Sequence, residues 1–311
     1  MRYGEFVSLS LPDVPPCLYV VGDRYFIRRV IASLTSKVDD FDKTLVSPPS
    51  TVTDGLDKAE SFPLLSEKRV VVLREFSRLS DVDKGYLEKY AADPTPTTVF
   101  VLVGETFKSV KGYELVDCNV SDRAVVKEAI VFEMKNLGCF VTPAAINLLM
   151  DYCDEDMGKI TSECVKLSSY VGKGGTVDVP DVEVCVTPDV SYKIYQLGDL
   201  VSNGKYAETY ELVAKLGVEP TTLLATLTKY YRNVFYAKIY KGDSADLANY
   251  LKIKPYPLSL AAKTAKNYSA VALLNLLKLL YELEYKIKSG VTSGEEAMEL
   301  AIAEAIERRK R

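Results

Sequence analysis

The sequence predicts an α/β region with a parallel sheet in its first third, followed by helices alone. Short runs such as LYVVG (18–22), RVVVL (69–73) and TVFVLVG (98–104) are apolar without alternation, as strands covered on both faces are. Segments with apolar residues at helical spacing lie between them, and that alternation builds a parallel sheet with helices on both sides. Beyond residue 120 such strands cease, and apolar residues recur every three or four positions. The 311 residues suffice for two or three domains.

In chain order, the first strand runs into Gly22, and a helix follows with Phe26, Ile27, Val30, Ile31 and Leu34 on one face and Asp23 as N-cap. DKTLV (42–46) is a second strand, and residues 56–62 are a short helix that carries Leu56, Ala59 and Phe62 on one side and stops at Pro63. RVVVL is the third strand, a helix opens at Ser80 or Asp81, TVFVLVG is the fourth strand and residues 114–120 are a fifth. Then come a helix with a Ser121 N-cap that ends at Gly138, a helix started by Thr142 and Pro143, and one carrying Ile160, Cys164, Leu167 and Val171. Residues 173–189, punctuated by Gly and Pro, read as a boundary. From Val190 onward three stripes stand out: Ile194 to Val201, Leu223 to Phe235, and Leu273 to Leu283. Thirteen of the 21 tyrosines lie in this last part. They fit either core packing, with rings buried and hydroxyls wet, or a stacking platform for nucleic acid, and packing is the commoner use.

Composition excludes much chemistry. Apolar residues make up 48% and charged residues 26%, the balance of a chain with a real core. There is no histidine, which removes His-based triads and His metal ligands. The six cysteines (Cys17, Cys118, Cys139, Cys153, Cys164, Cys185) form no CxxC pair, so they read as buried thiols and not as a zinc site. Residues 1–16 hold one Arg, one Glu and no long apolar run. They do not read as a signal peptide, and no stretch approaches the ~20 apolar residues that span a bilayer, so a cytoplasmic location without membrane contact is expected. Residues 188–311 hold 18 Lys and Arg against 14 Asp and Glu, whereas the rest holds 21 against 29. That mild excess fits a solvated helical surface or a face for phosphate or an acidic partner.

A parallel sheet that opens with a strand and a helix is the place for a phosphate loop, GxxxxGK[ST], in which backbone amides, a Lys and a hydroxyl hold polyphosphate and magnesium. Here the strand runs into Gly22, Asp23, Arg24, Tyr25 and Phe26. The second Gly, the Lys and the hydroxyl are absent, Tyr25 and Phe26 would fill the cavity, and Asp23 would repel phosphate. The third strand ends in Arg74-Glu75 without the Asp that would hold metal and water. The shape is that of a nucleotide-binding domain; its chemistry is not, and no cofactor or metal is expected.

Five pieces, in this order and spacing, resemble a known family. They are LYVVGDRYFIRRVI (18–31), AESFPLLSEKRVVVLREF (59–76), ITSECVKLSSYVG (160–172), KIYQLGDLVSNGKYAETYELVAKLGVEPTTLLATLTKYYRNV (193–234) and YLKIKPYPLSLAAKTAKNYS (250–269). Together they resemble the delta subunits of the bacterial DNA polymerase III clamp loader, over about residues 17–302. The resemblance implies an AAA+-like α/β domain without a phosphate loop at 1–120, a small helical lid at 121–187 and a helical collar at 188–311. It also implies a non-catalytic accessory subunit of a DNA-directed DNA polymerase. Such a subunit sits in a ring of five with ATPase subunits (gamma/tau) and delta-prime, binds the sliding clamp (beta), opens one clamp interface, and meets primer-template DNA through the assembled complex.

The family's clamp contact is a pair of exposed hydrophobic residues just before the third strand, which falls on Leu64 and Leu65, preceded by Pro63. By chemistry alone, a buried staple under the sheet is the default for two adjacent leucines; the resemblance reverses it. Alternatives are an active ATPase, a delta-prime-like stator, and a non-catalytic adaptor with an unrelated role. The missing phosphate loop argues against the first. The four-cysteine zinc module and Ser-Arg-Cys trigger by which stators resemble the loader ATPases are both absent.

Overall fold

The computed structural model describes residues 1–75, 79–105, 110–120, 122–216, 218–253 and 255–309. By internal contact the chain divides into two units, Met1–Phe140 with Met157–Gly175, and Val141–Asp156 with Thr176–Arg311.

The first unit begins with helix α1 (Tyr3–Val7), which buries Tyr3 and Phe6. It continues with β1 (Cys17–Gly22), α2 (Arg24–Thr35), β2 (Lys43–Val46), α3 (Val52–Glu60), β3 (Arg69–Leu73), α4 (Asp81–Ala92), β4 (Thr98–Val103), β5 (Glu114–Cys118) and α5 (Arg123–Asn136). The five strands form one parallel sheet in the order β2-β3-β4-β1-β5, the AAA+-like arrangement that the resemblance implies. Cys17 lies opposite Phe100, and Gly22 lies opposite Cys118. Every residue of β3 is buried, as both faces of a covered parallel sheet require. Local signals start the helices: Asp23 accepts from the Tyr25 amide, and Thr51 with Asp54, and Ser80 with Asp83, form capping boxes.

Downstream come β6 (Phe140–Val141), α6 (Pro143–Tyr152), α7 (Met157–Val171), β7 (Thr176–Val177), α8 (Val179–Cys185), α9 (Val190–Asn203), α10 (Tyr206–Leu216), α11 (Pro220–Ile239), α12 (Ser244–Leu251), α13 (Pro255–Ala265), α14 (Ala270–Lys288) and α15 (Gly294–Glu307). Helix α7 packs on α5 in the first unit. In the second unit α11 packs on α9, α13, α14 and α15. The core between them holds Ile194, Leu197, Leu224, Leu227, Leu273, Leu280 and Ile302. Three tyrosines there are buried and hydrogen-bonded. Tyr230 meets the Thr264 hydroxyl at 2.7 Å, Tyr231 meets Tyr268 at 3.3 Å, and Tyr268 donates to the Ala305 carbonyl at 2.9 Å. Packing is therefore the use of those rings. Tyr250, Tyr281 and Tyr285 stand exposed.

Several sequence expectations are corrected. Strands do not cease after residue 120, since β6 and β7 interrupt the helices. Residues 173–189 hold a helix, α8, started by a capping box of Asp178 and Asp181 with Pro180 in its first turn. The short helix read at 56–62 starts earlier and ends at Glu60, because Ser61 turns extended and Phe62 precedes a proline, which disfavours helical backbone. Phe62 is consequently 76% exposed, not on the buried side. The fifth strand stops at Cys118. Ser121, the expected N-cap of α5, lies outside the described residues; the side chain that accepts there is Asp122. Helix α1 has no counterpart in the sequence reading.

Five of the six cysteines are buried, and Cys185 is partly exposed. Burial pushes the Cys17 thiol up to about 11 and, with nearby Asp117 and Asp23, the Cys118 thiol up to about 12, so both stay protonated and unreactive at neutral pH. Among the described residues no group of three metal-ligating side chains comes together, and no helix is long and apolar enough to cross a membrane.

Candidate functional site

Two loops of the first unit carry the residues singled out from the sequence. The first joins β1 to α2. Gly22 adopts φ +121°, and a Cβ there would stand 2.6 Å from the Asn119 amide nitrogen and 2.7 Å from the Cys118 carbonyl carbon, so only glycine fits this turn. Asp23 then caps the helix, its carboxylate accepting the Tyr25 N–H at 2.7 Å. A helix N-terminus is an anion site in its own right; here the chain's own carboxylate occupies it.

Tyr25 and Phe26 turn inward, 5% and 2% exposed. The Tyr25 hydroxyl donates to Glu133 at 2.8 Å and accepts from Arg29 at 3.3 Å. Burial raises its pKa well above the usual tyrosine range; Glu133 adds to the rise and Arg29 opposes it. Phe26 stands edge-on to Tyr3 at 4.7 Å and to Tyr25 at 5.1 Å. The Arg29 guanidinium lies 3.8 Å from the Phe132 ring centre. Arg24 is exposed. The space that a nucleotide phosphate would take is thus filled by side chains in a closed network. At the end of β3, Arg74 and Glu75 are both exposed.

The second loop joins α3 to β3. Its leucines face solvent, Leu64 at 71% and Leu65 at 68% exposed. Their backbone is held from below by Asp42, which closes the 3-10 turn Asp40–Asp42 and is itself fully buried. The Asp42 carboxylate accepts the N–H groups of Leu64 at 2.6 Å, Leu65 at 2.8 Å and Ser66 at 2.6 Å. Ser66 Oγ accepts the Asp39 N–H at 2.7 Å. Burial alone would raise the Asp42 pKa; the three backbone donors and the Ser66 hydroxyl outweigh it and hold the carboxyl at about 2. Arg69, the first residue of β3, is also buried. Its Nη2 lies 3.6 Å from Asp42 Oδ1 and donates to the Phe62 carbonyl at 3.2 Å.

Gly22, Asp23, Arg24, Tyr25 and Phe26 are thus brought together as one filled loop, and Pro63, Leu64 and Leu65 as one outward-facing loop. Sequence reasoning missed Asp42 and Arg69, which it had placed in a strand end and a surface run. One signal was available: an Arg opening an otherwise apolar strand needs a buried partner.

Comparison with known proteins follows the same lines. Residues 191–305 match the family model described as DNA polymerase III delta subunit, C-terminal domain. The whole chain aligns with 99% of the DNA polymerase III subunit delta of Bacillus subtilis (strain 168), 23% identical over 348 residues. The solved structure of the Bacillus subtilis DNA clamp loader delta protein covers 98% of this chain and 99% of its own, with a TM-score of 0.67 at 20% identity. These matches bear out the resemblance to the delta family that the sequence pieces carry.

Proposed function

We propose that this chain, whose residues 191–305 belong to the DNA polymerase III delta family, serves as the delta subunit of a bacterial clamp loader and holds the sliding clamp through its α/β region. The observation that carries the proposal is the Leu64–Leu65 loop, with two large apolar side chains exposed on a backbone fixed by Asp42. Exposed apolar side chains held in one place mark a partner site. Burying each leucine in an apolar pocket of the clamp contributes roughly 1.5–3 kcal/mol, and anchors of this kind dominate interfaces. With Pro63 leading in, the pair engages the clamp and opens one of its interfaces, so that the ring can be placed on primed DNA.

The filled loop at Gly22 to Phe26 supports a subunit that neither binds nor hydrolyses ATP. Hydrolysis then falls to the gamma/tau subunits, with delta-prime completing the ring of five and primer-template DNA met in the assembly. Residues 1–120 are proposed as the clamp-binding domain, 121–187 as the lid and 188–311 as the collar. Helix α14 supports the collar role. One of its faces buries Leu273, Leu276, Leu277, Leu280 and Leu283, while Val271, Leu274, Tyr281 and Tyr285 line another, exposed face. A helix apolar on two faces has a second packing surface to satisfy.

Calorimetric titration of the full-length chain with the sliding clamp of the same cell tests the proposal. Micromolar or tighter binding is expected, and no measurable heat of binding would refute it. Tyr281→Ser with Tyr285→Ser should still bind the clamp yet fail to enter the five-subunit assembly. Normal assembly on a sizing column would remove this face of α14 from the collar contact.

A further inference from the structure

Resting on that reading, we propose that the clamp-facing surface is wider than the leucine pair. It includes Phe41 and Phe62, and the buried Asp42–Arg69 pair is the positioning element that presents all four side chains. They come from two chain segments: Phe41 from the 3-10 turn before β2, and Phe62, Leu64 and Leu65 from the loop after α3. All four are exposed, Phe41 at 70% and Phe62 at 76%, alongside the two leucines. Each is tied to the same two buried groups. Arg69 donates to the Phe62 carbonyl. Asp42 accepts from the Leu64 and Leu65 amides, 22 and 23 residues away in the chain. Phe41 directly precedes Asp42, and its own N–H donates to Asp39 Oδ1 at 3.0 Å, while the Asp39 N–H is held by Ser66. The two segments are stitched into one piece of backbone.

The energetics point the same way. Taking a carboxylate and a guanidinium out of water is costly for a fold, and an ion pair in that position often contributes little net stability. Leaving four large apolar side chains in water contributes no burial either. Both features are accounted for if the two segments must hold one shape when the partner arrives. A loop ordered in advance does not lose conformational freedom on binding, so more of the contact energy remains as affinity. The occupant is the apolar pocket of the clamp that takes Leu64 and Leu65, since Phe41 and Phe62 continue that surface from the segments Asp42 joins. Phe41 is then a contact residue, and Asp42 acts through the backbone it holds.

Purified full-length variants and the clamp, with amide exchange as a second readout, decide the matter. Phe41→Ala, which removes an exposed ring, should weaken clamp binding about five- to tenfold with an unchanged melting curve. In the wild-type chain the amides of Leu64, Leu65 and Ser66 should exchange slowly although their loop is exposed. Asp42→Asn should speed exchange at those three amides, leave the β3 amides of Val70 to Leu73 protected, and lower clamp affinity. If Asp42→Asn does not fold, the wild-type exchange pattern and Phe41→Ala still give the answer. Wild-type affinity in Phe41→Ala, while Leu64→Ser with Leu65→Ser loses the clamp, overturns the wider surface and leaves the functional reading standing. Rapid wild-type exchange at Leu64 to Ser66 overturns the positioning role. Full affinity in the double leucine variant brings down the functional reading, and this inference with it.

Discussion

The loop from Gly22 to Phe26 and the loop from Phe62 to Ser66 belong to one sheet and treat large apolar side chains in opposite ways. In the first, Tyr25 and Phe26 point inward and are nearly fully buried; in the second, Leu64 and Leu65 point outward and are mostly exposed. The loops also lie at opposite ends of the sheet. The strands are all parallel, the first loop follows the carboxyl end of β1, and the second precedes the amino end of β3. Small ligands of open parallel sheets bind at the carboxyl ends of strands, and that end is closed here. The end that ordinarily carries no ligand presents an apolar surface instead. Both loops depend on a carboxylate that takes backbone amides, but Asp23 closes an anion site and Asp42 braces an exposed one.

The comparison can be broken by making the same kind of change in both loops. Phe26→Ala removes a ring packed against Tyr3 and Tyr25 and should cost about 3–5 kcal/mol of folding stability, read by denaturant unfolding. A melt like that of the wild type would mean the first loop is not part of the core. Leu64→Ser with Leu65→Ser should change stability by about 0.5 kcal/mol or less, as surface substitutions do. The same variant should weaken clamp binding by roughly ten- to a hundredfold. A double variant that unfolds would return the pair to the buried-staple reading.

A finer difference is electrostatic. The Asp42 carboxyl is held down at about 2 in the folded chain, so its contribution to stability is present above the ordinary carboxylate range. That contribution is lost as pH falls from about 5 through about 2, where the folded group takes up its proton. The gap in Tm between wild type and Asp42→Asn should therefore narrow steadily over that interval. A gap that stays constant with pH would show that the loop is not braced by the ionised form. The smallest expected effect is none at all: ATP with magnesium should give no heat of binding to the isolated chain. Micromolar binding would mean that Tyr25 and Phe26 can leave their pocket.

Much of the α/β region was legible because its signals are local. Apolar runs without alternation located β1, β3 and β4, and Asp23, Thr142 and Gly138 marked helix ends as caps do. The filled phosphate loop was legible for the same reason, since five adjacent residues settle whether a Lys and a hydroxyl are there. Helix α8 was missed because Gly and Pro around it looked like a linker, although Asp178 and Asp181 carried a capping box. Phe62 was misplaced because periodicity was extended across a residue that proline forces out of the helix.

By itself the sequence determined which segments are strands and helices, that the nucleotide position is chemically empty, and that the delta family is the one it resembles. Those are properties of neighbours in the chain: spacing, caps, and the presence or absence of a side chain at a fixed offset. Tertiary structure decided which large side chains meet solvent. Tyr231 and Tyr268 are buried while Tyr281 and Tyr285 are exposed, within one helical region and with no local difference that separates them. It also decided that Asp42 and Arg69 meet beneath Leu64 and Leu65. A buried carboxylate finds its donors wherever the fold delivers them, and here they arrive from more than twenty residues away, a separation that no local pattern encodes.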